Sequence, residues 1–93
     1  IRLKDNIKTI DNALNKVNNI QGIEFDWIEK EIIHGNKGRD VGVIAQEIEK
    51  ILPEVVTTRD NGYKAVKYEK IVPLLIEAIK DLSRQVDGLK RLI

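Results

Sequence analysis

The sequence of 93 residues predicts an α+β fold, a small antiparallel sheet with short helices and a long C-terminal helix. Three observations carry that prediction. Apolar residues recur at steps of three and four in several stretches, the spacing of a helix with one buried face. Elsewhere the period drops to two or the residues turn β-branched, as half-buried strands require. Finally, Tyr68, Val72, Leu75, Ile79, Leu82, Val86, Leu89 and Ile93 alternate steps of four and three, a period of about 3.5 residues that winds helices around one another left-handedly.

A partner helix is therefore expected for Tyr68 to Ile93. Its first half is apolar beyond the seam, through Ile71, Leu74, Ile76 and Ala78, and should sink into a core. Past Lys80 only the seam stays apolar. Each buried aliphatic side chain is worth roughly 1.5–3 kcal/mol, so a chain unable to cover the seam gains by self-association. The alternative is an intramolecular hairpin in which an earlier helix closes the seam. Pro73 falls in the first turn, where its missing N–H removes no intrahelical bond, and Gly88 weakens the far end. One domain over residues 1–93 is expected, with 1–67 globular and 68–93 the oligomerisation helix.

Taking the chain in order, Ile7, Ile10, Leu14 and Val17 predict a short helix from about Ile10 to Asn18, capped by Thr9 or Asp11 and ended at Asn18, Asn19 and Gly22. In Gly22 to Ile28 the side chains of Ile23, Phe25 and Trp27 share one strand face, and Trp27 is expected to anchor the core. Glu29 to Asp40 reads as a hairpin-like or mobile loop. Asp40 is a candidate cap for a helix lined by Val41, Ile44, Ala45, Ile48 and Leu52, which Pro53 stops. Glu54 to Thr58 and Tyr63 to Tyr68 read as strands joined by an Asp60-Asn61-Gly62 turn, leading straight into the long helix.

Charge excludes several roles. The 16 Lys and Arg against 15 Asp and Glu leave a net charge of +1 with the signs interspersed, which argues against a nucleic-acid footprint or a polybasic membrane anchor. No apolar run approaches the roughly 18–20 residues of a membrane span, and Ile1-Arg2-Leu3-Lys4 is no signal peptide. The absence of cysteine removes disulfides and thiolate metal sites. His34 stands alone among loop residues and cannot build a metal cluster. No cofactor is evident, and the residues leave nucleotide binding open.

Catalytic motifs are scarce. There is no His-Glu-x-x-His, no phosphate-binding glycine loop and no cysteine nucleophile. Ser83 falls on the solvated part of the long helix, and Glu47 and Glu49, two apart on a helix, point in different directions. Composition and period alone stop at a soluble, self-associating α+β domain.

A series of blocks goes further. Arg2-Leu3-Lys4-Asp5-Asn6-Ile7, Ala13-Leu14, Gly22-Ile23-Glu24-Phe25-Asp26-Trp27, Gly42-Val43-Ile44-Ala45-Gln46-Glu47-Ile48 with Leu52-Pro53-Glu54-Val55-Val56, Gly62-Tyr63-Lys64-Ala65-Val66-Lys67-Tyr68 and Val72-Pro73-Leu74-Leu75-Ile76-Glu77-Ala78-Ile79 together resemble the endosialidase-type C-terminal intramolecular chaperone. The resemblance spans nearly the whole chain, in one order. Each block is weak alone; the series is specific.

The resemblance implies a domain at the C-terminus of phage tail spikes, tail fibres and neck appendages. Such a domain trimerises through its long helices, here Val72, Leu75, Ile79, Leu82, Val86, Leu89 and Ile93, and aids folding of the upstream fibre or spike portion of its own precursor. It acts during virion assembly in the host cytoplasm and is then cut off. The cut implied is autocatalytic serine endopeptidase chemistry by a Ser-Lys dyad in a motif Ser-Asp-x-Arg-Leu-Lys, with cleavage just before the Ser. Lys4 matches the lysine, Ile1 the x, and the Ser and Asp fall upstream of Ile1, so this chain lacks the nucleophile. A serine needs an adjacent base, and a lysine serves when burial depresses its pKa. Many relatives carry His where this chain has Asp40.

Two matters need weighing. Ile and Val at a with Leu at d favours two strands in isolated parallel coils, whereas the resemblance implies a homotrimer; three is expected, because the globular part and the upstream fibre can set the number where a short helix cannot, and the apolar flanking residues Ile76 and Ala78 widen the seam as a thicker bundle needs. The second is function. A non-catalytic oligomerisation or adaptor module would keep the helix without proteolysis, leaving Lys4 a surface lysine, and the self-cleaving domain of membrane-tethered eukaryotic transcription factors shares the same family resemblance.

Overall fold

The computed structural model describes residues 3–28, 37–60 and 62–92. Among the described residues three helices and two separate β-ribbons alternate along the chain: α1 (Ala13–Asn18), β1 (Ile23–Asp26), β2 (Arg39–Gly42), α2 (Ala45–Ile51), a 3-10 turn at Pro53–Val55, β3 (Val56–Thr58), β4 (Lys64–Val66), a second 3-10 turn at Tyr68–Lys70 and α3 (Val72–Arg91). The class is α+β as the sequence predicts. The sheet is not one but two antiparallel pairs, β1 with β2 and β3 with β4.

The helix expected to begin after Asp40 begins four residues later. Arg39–Gly42 instead pairs with β1 in the register Ile23 to Gly42, Glu24 to Val41, Phe25 to Asp40 and Asp26 to Arg39. Opposed residues of a pair share a face, so Asp40 and Gly42 lie on the side of Ile23 and Phe25, and Val41 turns outward with Glu24. Val41 is accordingly exposed rather than part of a helical stripe, and Asp40 caps nothing. Ile44, extended at φ −87°, is the residue before α2 and supplies no side-chain cap. Of the stretch Glu29 to Asp40, expected as a hairpin-like or mobile loop, Arg39 and Asp40 belong to β2; Glu29 to Asn36, with His34, lies outside the described residues.

Trp27 is half-buried rather than a core anchor. Its ring meets Phe25 edge-on at 5.0 Å between centroids, and its indole Nε1 donates to Asp40 Oδ2 at 3.0 Å. A polar N–H at the ring edge needs an acceptor, and Asp40 on the same ribbon face supplies it.

The second hairpin lies where the sequence places it but with shorter arms, since Glu54 and Val55 belong to one 3-10 turn and Tyr68 to the other. Val56, Thr57 and Thr58 pair with Val66, Ala65 and Lys64, and the turn closes by a hydrogen bond from Gly62 N to Arg59 O at 2.8 Å, with Gly62 at φ +84°. That left-handed geometry suits a residue without Cβ; Asn61 lies outside the described residues. Pro53 ends α2 as expected, taking the first position of a 3-10 turn.

The core has two clusters. Ala13, Leu74 and Ala78 form one, with Ile10, Leu14, Val17, Ile20 and Leu52 against it. Ile48, Val55 and Ile71 form the other, joined by Val43, Val56 and Val66 and again by Ile20 and Leu52. The two shared residues tie α1 and α3 to α2 and the β3–β4 hairpin. The molecule is elongated: its radius of gyration is 17.2 Å, against about 12 Å for a compact domain of this length. The outer half of α3 contributes to this, since every residue from Leu82 to Leu92 is exposed.

Candidate functional site

The long helix α3 carries two apolar stripes with different fates. Its 3.5-residue frame puts Val72, Ile79 and Val86 at a and Leu75, Leu82 and Leu89 at d. All six are exposed, from 41% at Val86 to 67% at Ile79. Ile76, at e, continues this surface and is 48% exposed. Ile93, the last seam residue expected, lies outside the described residues. Tyr68, the first, lies in the 3-10 turn before the helix, because α3 starts at Val72 with Pro73 in its first turn.

The second stripe is Ile71, Leu74, Ala78 and Asp81, at g and c. Ile71, Leu74 and Ala78 are buried within the chain, and Ala13 opposite Leu74 and Ala78 lets α1 approach closely because neither alanine holds the helices apart. The backbone N–H of Leu14 donates to Asp81 Oδ2 at 3.3 Å, while Ile20, past the other end of α1, reaches the cluster holding Ile71. α1 therefore runs antiparallel to α3 along this flank. Ile71, Leu74 and Ala78 thus sink into the core as the sequence predicts, Ile76 does not, Ala78 is spent inside the chain rather than on widening the seam, and among the described residues no helix covers the a/d stripe. The intramolecular hairpin does exist, but on the g/c flank.

Sequence reasoning missed Asp81. The residue before α1, Asn12, has φ +52° and makes no side-chain cap, so neither Thr9 nor Asp11 starts this helix. Asp81 satisfies one orphan amide of the first turn from another helix, and also pairs with Arg84 one turn on. Its position at c, in step with Leu74 and Ala78, was the available signal.

A close approach fixes the base of α3. A Cβ on Gly42 would sit 2.6 Å from Tyr68 Oη and 3.3 Å from Phe25 Cε1. Tyr68 thus lies against the inner face of the β1–β2 ribbon, and its hydroxyl accepts a hydrogen bond from Val43 N at 3.3 Å. Glu49 pairs with Lys64, bracing α2 on β4.

Lys4 lies in the irregular segment ahead of α1 and is exposed, as is Leu3 beside it. Asn6, two residues on, takes a left-handed backbone at φ +55°. Asp40, at the position where the resemblance leads one to look for His, is also exposed. Its carboxyl is held below the usual Asp range, first by the hydrogen bond from Trp27 and then by that from Val41 N at 2.8 Å. Both bonds favour the ionised form. Among the described residues no group of three His, Asp or Glu side chains converges to hold a metal ion, and no helix is long and apolar enough to cross a membrane.

These features define a small α+β module that buries one flank of its long helix internally and leaves the a/d stripe exposed. Residues 1–57 match the chaperone of endosialidase family, and the chain belongs to that family. It is 37% identical over 95 residues to the long tail fiber protein Gp37 of Enterobacteria phage K3, and equally to that of Enterobacteria phage T2, covering 97% of this chain in each case. It is also 32% identical over 108 residues to myelin gene regulatory factor-like A of Dictyostelium discoideum, again over 97% of this chain. The chain spans only 8%, 7% and 11% of those three relatives.

Proposed function

We propose that this chain is the intramolecular chaperone of a phage tail fibre, spike or appendage protein. Three copies of α3 join as a homotrimer, hold three upstream portions in register during virion assembly in the host cytoplasm, and raise their effective concentration for one another. The observation that carries this is the open a/d stripe on α3, apolar over five turns and exposed, with no helix over it among the described residues. The tail fibre relatives supply the cargo class.

Release follows by autoproteolysis where Ser-Asp stands ahead of Ile1. The Ser hydroxyl attacks the carbonyl of the residue before it, Lys4 takes the hydroxyl proton and returns it to the departing amine, and water hydrolyses the resulting ester. A lysine acts as a base only where its surroundings favour the neutral form. The exposure of Lys4 in one chain fits a dyad that a neighbouring subunit or the upstream segment must complete, so that trimerisation gates the cut. The same exposure favours a second reading, an adaptor that stays attached and uses the helix alone.

The test is to express the chain behind its Ser-Asp and a natural upstream segment, then to look for cleavage before the Ser in the wild type and in Lys4→Ala. Cleavage abolished by the substitution supports the dyad. An uncut wild type selects the adaptor, and retained cleavage in Lys4→Ala removes this lysine from the mechanism. Light scattering should give three chains for the wild type and fewer for Leu82→Asp; a wild-type monomer at working concentration overturns the chaperone reading itself.

A further inference from the structure

The g/c flank of α3 decides what else an assembled neighbour touches. With about 3.5 residues per turn, the stripe Ile71, Leu74, Ala78 lies roughly 100° round the helix from the a/d seam. α1 sits on that stripe. In a parallel two-stranded coil the neighbouring α3 stands straight ahead of the seam; in a three-stranded one it stands about 30° to each side. Taking helix axes at 8–10 Å, α1 then falls about 12–15 Å from the neighbour's α3 in the dimer, beyond helix-packing distance, and about 9–11 Å in the trimer, at or close to it. The small residues Ala13 and Ala78, both buried, draw α1 closer still.

The complementary edge is present on the same helix. In parallel coils an e residue faces the g residue five positions earlier on its neighbour, which sets Ile76 against Ile71 and Ser83 against Ala78. Ile76 is 48% exposed and adjoins the open seam, so one chain offers an uncovered apolar e edge and the next offers a g flank already built up by α1. We propose that α1 is an inter-subunit element, with the Ile76 edge of each subunit packed into the corner between α1 and α3 of the next. This rests on the reading that copies of α3 assemble. It adds that the neighbour clamps the helix directly following the segment of Lys4, giving trimerisation a physical route to that segment.

The arrangement is tested with cysteines at two exposed positions, Ile76→Cys and Asn18→Cys, Asn18 being at the end of α1 nearest Ile71. The double variant of the full chain is treated with a short bismaleimide, with each single variant as control, and oligomeric state is followed by light scattering. Two- and three-chain bands on a denaturing gel from the double variant, and not from either single one, are expected. A trimer in solution that yields only single chains on the gel overturns the α1 contact while leaving the assembly reading intact. A particle of two chains overturns the contact and the trimer together, and a particle of one chain overturns the assembly reading itself.

Discussion

The amide of Leu14 and the carboxylate of Asp81, 67 residues apart in sequence, meet at 3.3 Å and start α1. A six-residue helix has too few internal bonds to hold itself, and here neither a local cap nor an acidic residue in its first turn helps. Asp81→Ala should therefore destabilise the fold by about 1 kcal/mol, the ordinary worth of a helix cap, with Asp81→Asn costing less because its amide oxygen still accepts. Urea midpoints at fixed chain concentration measure this. Equal losses in the two variants would show that the ion pair with Arg84, not the cap, is what Asp81 contributes.

Gly42 makes a second sharp case. Its added Cβ would collide with the Tyr68 hydroxyl at 2.6 Å, and overpacking of this kind costs about 1–3 kcal/mol. Tyr68→Phe removes the colliding oxygen together with the acceptor for Val43 N. Gly42→Ala should thus be more damaging in the wild-type background than in Tyr68→Phe, and a double-mutant cycle in urea reads the difference. Strict additivity would mean that the ribbon shifts aside and the approach is not specified.

How far these relationships could be read in advance depends on whether their cause is local. The α3 seam was legible because its residues lie on one helix and their own spacing encodes the face. Val41 was misassigned because it happens to fall three residues before Ile44, completing a helical stripe by coincidence, while β2 owes its conformation to backbone bonds with β1 that its four residues do not announce. Trp27 is apolar enough for a core, yet a two-stranded ribbon has too little behind it to bury so large a ring. Asp81 shows its face by standing in step with Leu74 and Ala78, but a cap supplied 67 residues away leaves no local pattern that names its partner. For the same reason Lys4 could be singled out only by resemblance: nothing in the residues around it marks it.

Asp40 gives a prediction in pH. Its folded pKa is depressed, the hydrogen bond from Trp27 being the largest cause. The sign follows from linkage: the stabilisation is fully present above the unfolded Asp value of about 3.9 and fades as pH falls through the lower folded value. Trp27→Phe removes the indole donor and should move the Asp40 carboxyl titration, followed by NMR, upward towards its ordinary range. Val41 N would still hold it part of the way down. An unchanged midpoint would mean that the indole bond does not persist in solution.

The two stripes of α3 separate folding from assembly, and paired truncations can expose this. Leu74 is fully buried inside one chain, so Leu74→Ala should cost about 2–5 kcal/mol at every protein concentration. Leu82 is 49% exposed in one chain, so Leu82→Ala removes little from a lone subunit but takes apolar area from an assembled one. Because association stabilises by mass action, the wild-type melting temperature should rise with chain concentration. In Leu82→Ala the curve should shift to higher concentration, while Leu74→Ala should lower melting temperatures along the whole range. A wild-type melting temperature independent of concentration over several decades down to dilute solution would mean that the seam contributes nothing to stability by association, and that its regular spacing has some other cause.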